Sequence, residues 1–464
     1  MNAGKEGNFE GKFQDSYTFT CIPMCEKGIY PNSKMDAFIR INTMKNGNDI
    51  LTSFKNAVTV REVGLENILH PTLKQREHIE LAKDFSSRNL EPSDYLHLIE
   101  SHLPKELISP QNFIEIKNLA SNFSGKLTSF QIFESRLNSY ETKADYCFAV
   151  SYKNEERETL LNLIKNNSLP KHLLKQSEWK QVSNFVKSWA DQKSILYDNV
   201  LGIWFEFDTA SSVSNTSIPS VFIQPNSSYV ISGDAASQHI WITKSALPLL
   251  LGRPLSKGVE KKVLECIKKL PLESSLFQVG MMLSRKDDEI RLVIKRIRID
   301  QILPYLNSIG WTDDEKQGLT SLLEEIKNKA TRIVLHISVG EKINPKIGIE
   351  CSFFPDRYHR EQGWKNLLDY LREKELCNQE KYSSILKFPG IEPQYQDEYF
   401  NSQKCIPSVM ITEKTYSYAL IRYISHIKLV YEHNKKIEAK AYSAVRLVGH
   451  PYEQINQETR LIKN

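Results

Sequence analysis

From about Asp145 onward the chain alternates apolar and polar positions in short runs, and the runs come in pairs. Strand side chains point to opposite faces with period two, so such runs predict half-buried strands joined as hairpins. The last pair is the clearest. Tyr418 to Val448 holds two runs around the polar turn His433-Asn434-Lys435-Lys436, with Arg422, His426 and Lys428 on one face of the first and Glu438, Lys440, Tyr442 and Arg446 on one face of the second. The opposite faces, Ile427, Leu429 and Tyr431 with Ile437, Ala439, Ala441 and Val445, are mostly apolar. Matching polar face to polar face sets His426 near Tyr442 and Lys428 near Lys440. Two lysines held that close repel each other unless an anion sits between them.

Earlier runs repeat the pattern. Asp145 to Tyr152, Val200 to Asp208 and Ser220 to Gln224 read as strands, Leu276 to Ser284 with Glu289 to Ile297 as a hairpin, and Arg332 to Val339 with Lys346 to Phe354 as another. Glu206 and Asp208 share a face with Trp204; Arg291 shares one with Lys295, Arg332 with His336 and Ser338, and Lys346 with Glu350 and Ser352. Each opposite face is apolar. Between the pairs, apolar residues three or four apart predict helices over Glu156 to Ile164, Trp179 to Trp189, Val259 to Leu270 and Gln362 to Lys374. Thr312-Asp-Asp-Glu315 reads as a capping box opening a helix through Leu319, Leu322, Leu323 and Ile326.

The expected organisation is a partly extended N-terminal segment (1–66), a helical region (67–140), an α+β sheet or barrel domain (141–450) with loops near 209–219 and 389–410, and a polar tail (451–464). Within the helical region the spacing predicts helices over His78 to Phe85, Asp94 to Leu103, Asn112 to Ala120 and Phe130 to Leu137. The order of hairpin then helix argues α+β, not a doubly wound parallel sheet.

Composition narrows the function classes. Of 464 residues, 40% are hydrophobic and 25% charged, as in a globular protein, and the net charge of +5 with no long basic block argues against a nucleic-acid partner. Seven cysteines, scattered without framework spacing, fit a reducing compartment. Met1 to Gln14 has no apolar core of a signal peptide, and no run approaches the ~20 apolar residues of a membrane span. A cytoplasmic protein is expected. Asp287-Asp288 and Asp313-Asp314 suit a turn and a helix N-terminus, while Ser232-Gly-Asp234 and Arg357-Tyr-His-Arg360 read as loops. No metal-ligand spacing appears.

Two arrangements of the charged faces remain open. One sheet face can lie in water, or a closed, curved sheet can turn its polar faces into a lumen with helices outside. In the second case Arg291, Lys295, Arg332, Lys428 and Lys440 cradle a diphosphate or another anion, with Tyr442 donating a hydrogen bond. Glu206, Asp208 and Glu350 are then the candidate general bases, with Glu206 and Glu350 preferred.

Repeated antiparallel hairpins with flanking helices, together with alternations such as Lys440-Ala-Tyr442 and Arg291-Leu-Val-Ile-Lys295, resemble the aromatic prenyltransferases of the αββα-barrel type. That resemblance implies an inward ring of Arg, Lys and Tyr shielding an allylic diphosphate, a carboxylate near an aromatic or peptide acceptor, no required cofactor, and tolerance of Mg²⁺. The strings Gly348-Ile-Glu-Cys351, Leu376-Cys377, Ile424-Ser-His-Ile-Lys428 and Glu438-Ala-Lys-Ala-Tyr442 also look similar to a family of uncharacterised bacterial proteins, some encoded with modified-peptide biosynthesis genes. That likeness implies a peptide-maturation setting. The expected function is a transferase of this kind; the alternative is a non-catalytic protein that binds an acidic peptide or partner.

Overall fold

The structure is a computed structural model that describes residues 91–451 apart from 126, 128–129, 154, 167, 210–216, 227–237, 286–288, 313–315, 354–361 and 395–415. All described residues belong to the compact unit Ala82–Asn464. The helix expected over His78 to Phe85 and the four short motifs at 232, 287, 313 and 357 lie outside the described residues or at their edge.

Eleven strands carry the architecture: β1 (Phe130–Arg136), β2 (Ala144–Ser151), β3 (Val200–Phe207), β4 (Ser220–Pro225), β5 (Ser275–Met281), β6 (Ile290–Lys295), β7 (Arg332–Val339), β8 (Ile343–Ser352), β9 (Gly390–Gln394), β10 (Tyr416–Tyr431) and β11 (Glu438–Pro451). Each pairs antiparallel with its neighbour in the order β1 to β8, then β10 and β11, and β11 pairs back onto β1 with Tyr442 opposite Glu134. The sheet is therefore a closed ten-stranded barrel. β9 attaches to β10 beside the ring, Leu420 opposite Glu392.

Five hairpins make the ring, and helices precede each one. Pro92–Ile99 and Pro110–Ala120 come before β1, Glu156–Lys165 and Ser177–Trp189 before β3, Lys257–Lys268 before β5, Ile299–Ser308 and Lys316–Ile326 before β7, and Gln362–Glu373 and Gln379–Lys387 before β10. Local chemistry sets their starts. Ser109 accepts from the Asn112 amide at 3.3 Å with Pro110 in the first turn, and Asn378 accepts from the Lys381 amide at 2.9 Å.

Each helix buries one stripe against the outer faces of the strands. In Ser177–Trp189 the stripe is Trp179, Val182, Phe185, Val186 and Trp189, all buried. Trp179 lies 6.0 Å from Phe205 of β3, and Phe123 meets Phe148 of β2 edge-on at 5.1 Å, ring centre to ring centre. The apolar faces read from the alternation thus point outward to the helices. The polar faces have only the lumen left.

Two segments differ from the sequence reading. Phe130 to Leu137, expected as a helix, is β1. Its apolar residues at 130, 133 and 137 mimic a helical period, but Phe133 belongs to the outer core while Phe130, Ile132 and Glu134 share the opposite face. A strand buried on both sides shows no clean alternation. Gly390–Gln394, inside a stretch expected as a loop, is β9, whose Pro393 suits an outer strand.

Candidate active site in the barrel lumen

Two layers fill the described part of the lumen. One is apolar: Phe222, Met282, Val293 and Val334 pack together, with Trp204 and Phe277 against them. Gly280 permits this packing, since a Cβ there would sit 2.4 Å from the Phe222 ring. The other layer is charged, and its groups fall into three sets.

The first set is centred on Glu134 of β1. It accepts from Lys440 Nζ at 2.6 Å and from the Tyr442 hydroxyl, both on β11. Burial pushes the Glu134 carboxyl upward, but the Lys440 ammonium and the two hydrogen bonds overcome it and hold the group at about 2. Tyr442 then stacks on His426, ring centres 4.0 Å apart.

The second set joins three strands. Glu350 of β8 meets His336 Nε2 of β7 at 2.5 Å and lies 3.4 Å from His426 Nε2 of β10. Lys428 Nζ is 3.0 Å from His336 Nδ1. An ammonium can only donate, so Nδ1 is the acceptor and the imidazole proton sits on Nε2, facing Glu350. Burial, then the Lys428 charge, lowers His336 to about 4, which keeps the ring neutral. Burial opposes ionisation of Glu350, yet His426, His336 and Lys428 together hold it well below the usual carboxylate range.

The third set is acidic. Asp208 takes a two-pronged contact from Arg285, 2.7 Å from Nη2 and 3.2 Å from Nε, and a 2.8 Å bond from Ser284. Glu206 is 3.9 Å from the same guanidinium. Burial, reinforced by the nearby Glu134 charge, raises the Glu206 pKa. Two carboxyls of one lumen are thus pushed in opposite directions, Glu350 down and Glu206 up, an arrangement that divides acid and base roles.

Neither a family model nor a curated relative matches the sequence. Among solved structures the chain is similar to the prenyltransferase PriB in its apo form, at a TM-score of 0.41 and 10% identity over 76% of this chain and 96% of that one. It is also similar to 5-dimethylallyltryptophan synthase from Streptomyces coelicolor, at a TM-score of 0.42 and 8% identity over 75% of this chain and 95% of that one. A PriB ternary complex with L-tryptophan and dimethylallyl thiolodiphosphate gives a TM-score of 0.40 and 9% identity over 76% and 94%.

The register sets Lys428 opposite Lys440 and His426 opposite Tyr442. The anion beside the two lysines is the protein's own Glu134, and it pairs with only one of them. Lys440 and Tyr442 are engaged there. Lys428 is different: it is buried, its hydrogen-bond partner is a neutral imidazole, and it is in no ion pair among the described residues. Arg291 donates to the Ser338 hydroxyl at 3.3 Å and is likewise in no ion pair. Lys346 stands near the turn end of the barrel, its pKa lowered by desolvation and by the charges of Lys440 and Arg291 against the opposing carboxylates of Glu438 and Glu432.

Arg291, Lys428, Glu350 and Glu206 therefore share one electrostatic neighbourhood. Lys295, two positions beyond Val293 on the same strand face, has its ammonium 5.1 Å from the Phe277 ring centre. Arg332 sits opposite Ser352 and acts on His426 through its charge. Sequence reasoning missed Glu134, because β1 read as a helix, and left Lys346, His336 and His426 out of the site. A strand reading of Gln131-Ile-Phe-Glu134 was the signal that could have found the first. Among the described residues no cluster of His, Cys, Asp or Glu has the arrangement to hold a metal ion, and no helix is long and apolar enough to cross a membrane.

Proposed function

We propose that the protein transfers an allylic group from its diphosphate to an aromatic or peptide acceptor inside the barrel. One observation carries this reading: Arg291 and Lys428, each in no ion pair among the described residues, converge in a closed lumen that also holds a buried apolar and aromatic layer. Such a space fits a ligand with an anionic head and a greasy tail. Arg291 and Lys428 hold the diphosphate, while Trp204 and Phe277 offer ring faces to the allylic part.

In the reaction the allylic C–O bond breaks with its electron pair left on the diphosphate. The acceptor then bonds to the allylic carbon and loses a proton. Glu206, raised by burial and by Glu134, takes that proton more readily than Glu350, which its histidine neighbours keep ionised.

The test is direct. Purified protein is incubated with dimethylallyl diphosphate and L-tryptophan, tyrosine or short aromatic peptides, and products are sought by mass spectrometry. An isoprenylated acceptor is expected, and Glu206→Gln lowers turnover by about 10²–10⁴-fold. Absence of product with every acceptor overturns the reading. A second reading, a protein that binds an acidic peptide without catalysis, draws on the internal pairing of Lys440 with Glu134 and Arg285 with Asp208, which already satisfies part of the lumen. It gains if diphosphate and acidic peptides raise the melting temperature and no product forms.

A further inference from the structure

Lys428 is buried, and among the described residues it is in no ion pair. Its ammonium has three hydrogens, and His336 Nδ1 takes one. A buried charge is normally neutralised by a partner or sheds its proton. The lysine stem lies across bare backbone of β8: a Cβ at Gly348 would lie 2.9 Å from Lys428 Cε and 3.1 Å from His336 Cβ.

We infer that Lys428 is a proton-loading residue: a polyanion entering the lumen brings one proton from solvent onto Lys428 Nζ, and His336, fixed by Glu350, is the positioning residue that keeps Nζ aimed at it. The inference rests on the anion-binding part of the reading above. The step is an amine taking up H⁺ to become an ammonium, and no bond of the ligand changes.

The groups facing Lys428 come from every side of the barrel. Glu350 on β8, Glu134 on β1 and Glu206 on β3 favour its charged form, and Arg291 on β6 opposes it. His336 on β7 is neutral, His426 on β10 is lowered by burial, and Lys440 on β11 is already paired with Glu134. Burial is the largest influence and, with Arg291, lowers Lys428 to about 8. At that value the empty site is partly unprotonated in mildly alkaline solution. An anion beside Nζ and Arg291 restores the charged form.

Calorimetry measures this without any chemistry of transfer. The probe is methanedisulfonate, a diphosphate-shaped dianion that carries no titratable proton between pH 6 and 10, on the order of the window Lys428 spans. It is titrated into the full-length protein in buffers of different ionisation heat. The expected result is net proton uptake at pH 8.5 that fades toward pH 6.5, as the sign of a depressed lysine requires. Lys428→Met abolishes the uptake. His336→Asn, whose Oδ1 can replace Nδ1 as acceptor, retains most of it, whereas His336→Phe, with no acceptor, weakens binding at least tenfold. Binding with no proton uptake across the range, or unchanged uptake in Lys428→Met, overturns the inference and leaves the transferase reading standing. No binding of the probe by protein that forms isoprenylated product does the same, and no binding together with no product removes both.

Discussion

Lys428 and Lys440 face each other across one hairpin, yet the barrel treats them as opposites. On the β11 side Lys440 finds Glu134 of β1 at 2.6 Å, and the Tyr442 hydroxyl adds a second donor to the same carboxylate. On the β10 side Lys428 lies directly opposite Glu350 in the register, but that carboxylate is engaged by His336, and the lysine is left with imidazole nitrogen. Two residues of one type, one register step and one lumen thus separate into an ion pair with Glu134 and a hydrogen bond to a neutral imidazole. Charge neutralisation makes Lys440 part of the fold's own pairing, and on the proposed function Lys428 is the lysine that meets the diphosphate.

The largest expected effect lies on the paired side. Lys440→Met strands Glu134 without its cation in a buried site and should lower the unfolding free energy by about 3–5 kcal/mol in urea denaturation. Adding Glu134→Gln should recover a large part of that loss; equal loss in single and double variants breaks the contrast. Next is Gly348→Ala. Its new Cβ meets the Lys428 stem and His336, so a loss of about 1–3 kcal/mol is expected, together with a weaker pyrophosphate-induced rise in melting temperature. A full ligand response in this variant would show that the stem need not lie over β8.

Smaller again, and of opposite sign, is Lys428→Met. Replacing a buried ammonium that is in no ion pair by a similar apolar side chain should raise stability by about 1 kcal/mol at pH 7 while erasing the response to pyrophosphate. A destabilisation as large as that of Lys440→Met would mean the two lysines are equivalent.

The subtlest difference is in the pH dependence. Glu134, held at about 2 against an ordinary 4.5, stabilises the fold fully above pH 4.5 and loses that contribution as pH falls toward 2. Lys428, lowered to about 8 from 10.5, behaves in reverse: between these values the unfolded chain binds more protons, so stability from this group rises with pH. Melting temperatures across pH 8 to 10, about the span of that shift, should climb more in the wild type than in Lys428→Met.

Much of this geometry was legible in the chain. Strands β3, β6, β7, β8 and the β10–β11 hairpin from His426 onward announce themselves because one face packs on helices and the other carries charge; before His426 a bulge flips β10, so Arg422, expected on the face of His426 and Lys428, lies on that of Leu420 and Ile424. β1 does not. Phe130, Ile132 and Phe133 place apolar groups on both faces, and the period of two vanishes with the one strand that supplies Glu134. Pairing of Lys428 with Lys440 could be read from the register, but the choice of which lysine receives the carboxylate depends on barrel closure, a contact between residues 306 positions apart that no local pattern encodes. Lys295 shows the same limit. It shares a strand face with Arg291, yet Val293 between them belongs to the apolar layer and divides the face.

Closure through β1 and β11 also sets a timetable. During synthesis Glu134 leaves the ribosome some three hundred residues before the lysine that will neutralise it. Until the β10–β11 hairpin docks, the first strand has an unmatched edge and an unpaired acid aimed at its future interior, and the eight ring strands already made form an open, curved sheet. Closure of the barrel therefore waits on the β10–β11 hairpin, a non-local step of the kind that slows β-rich proteins and exposes them to aggregation while they wait.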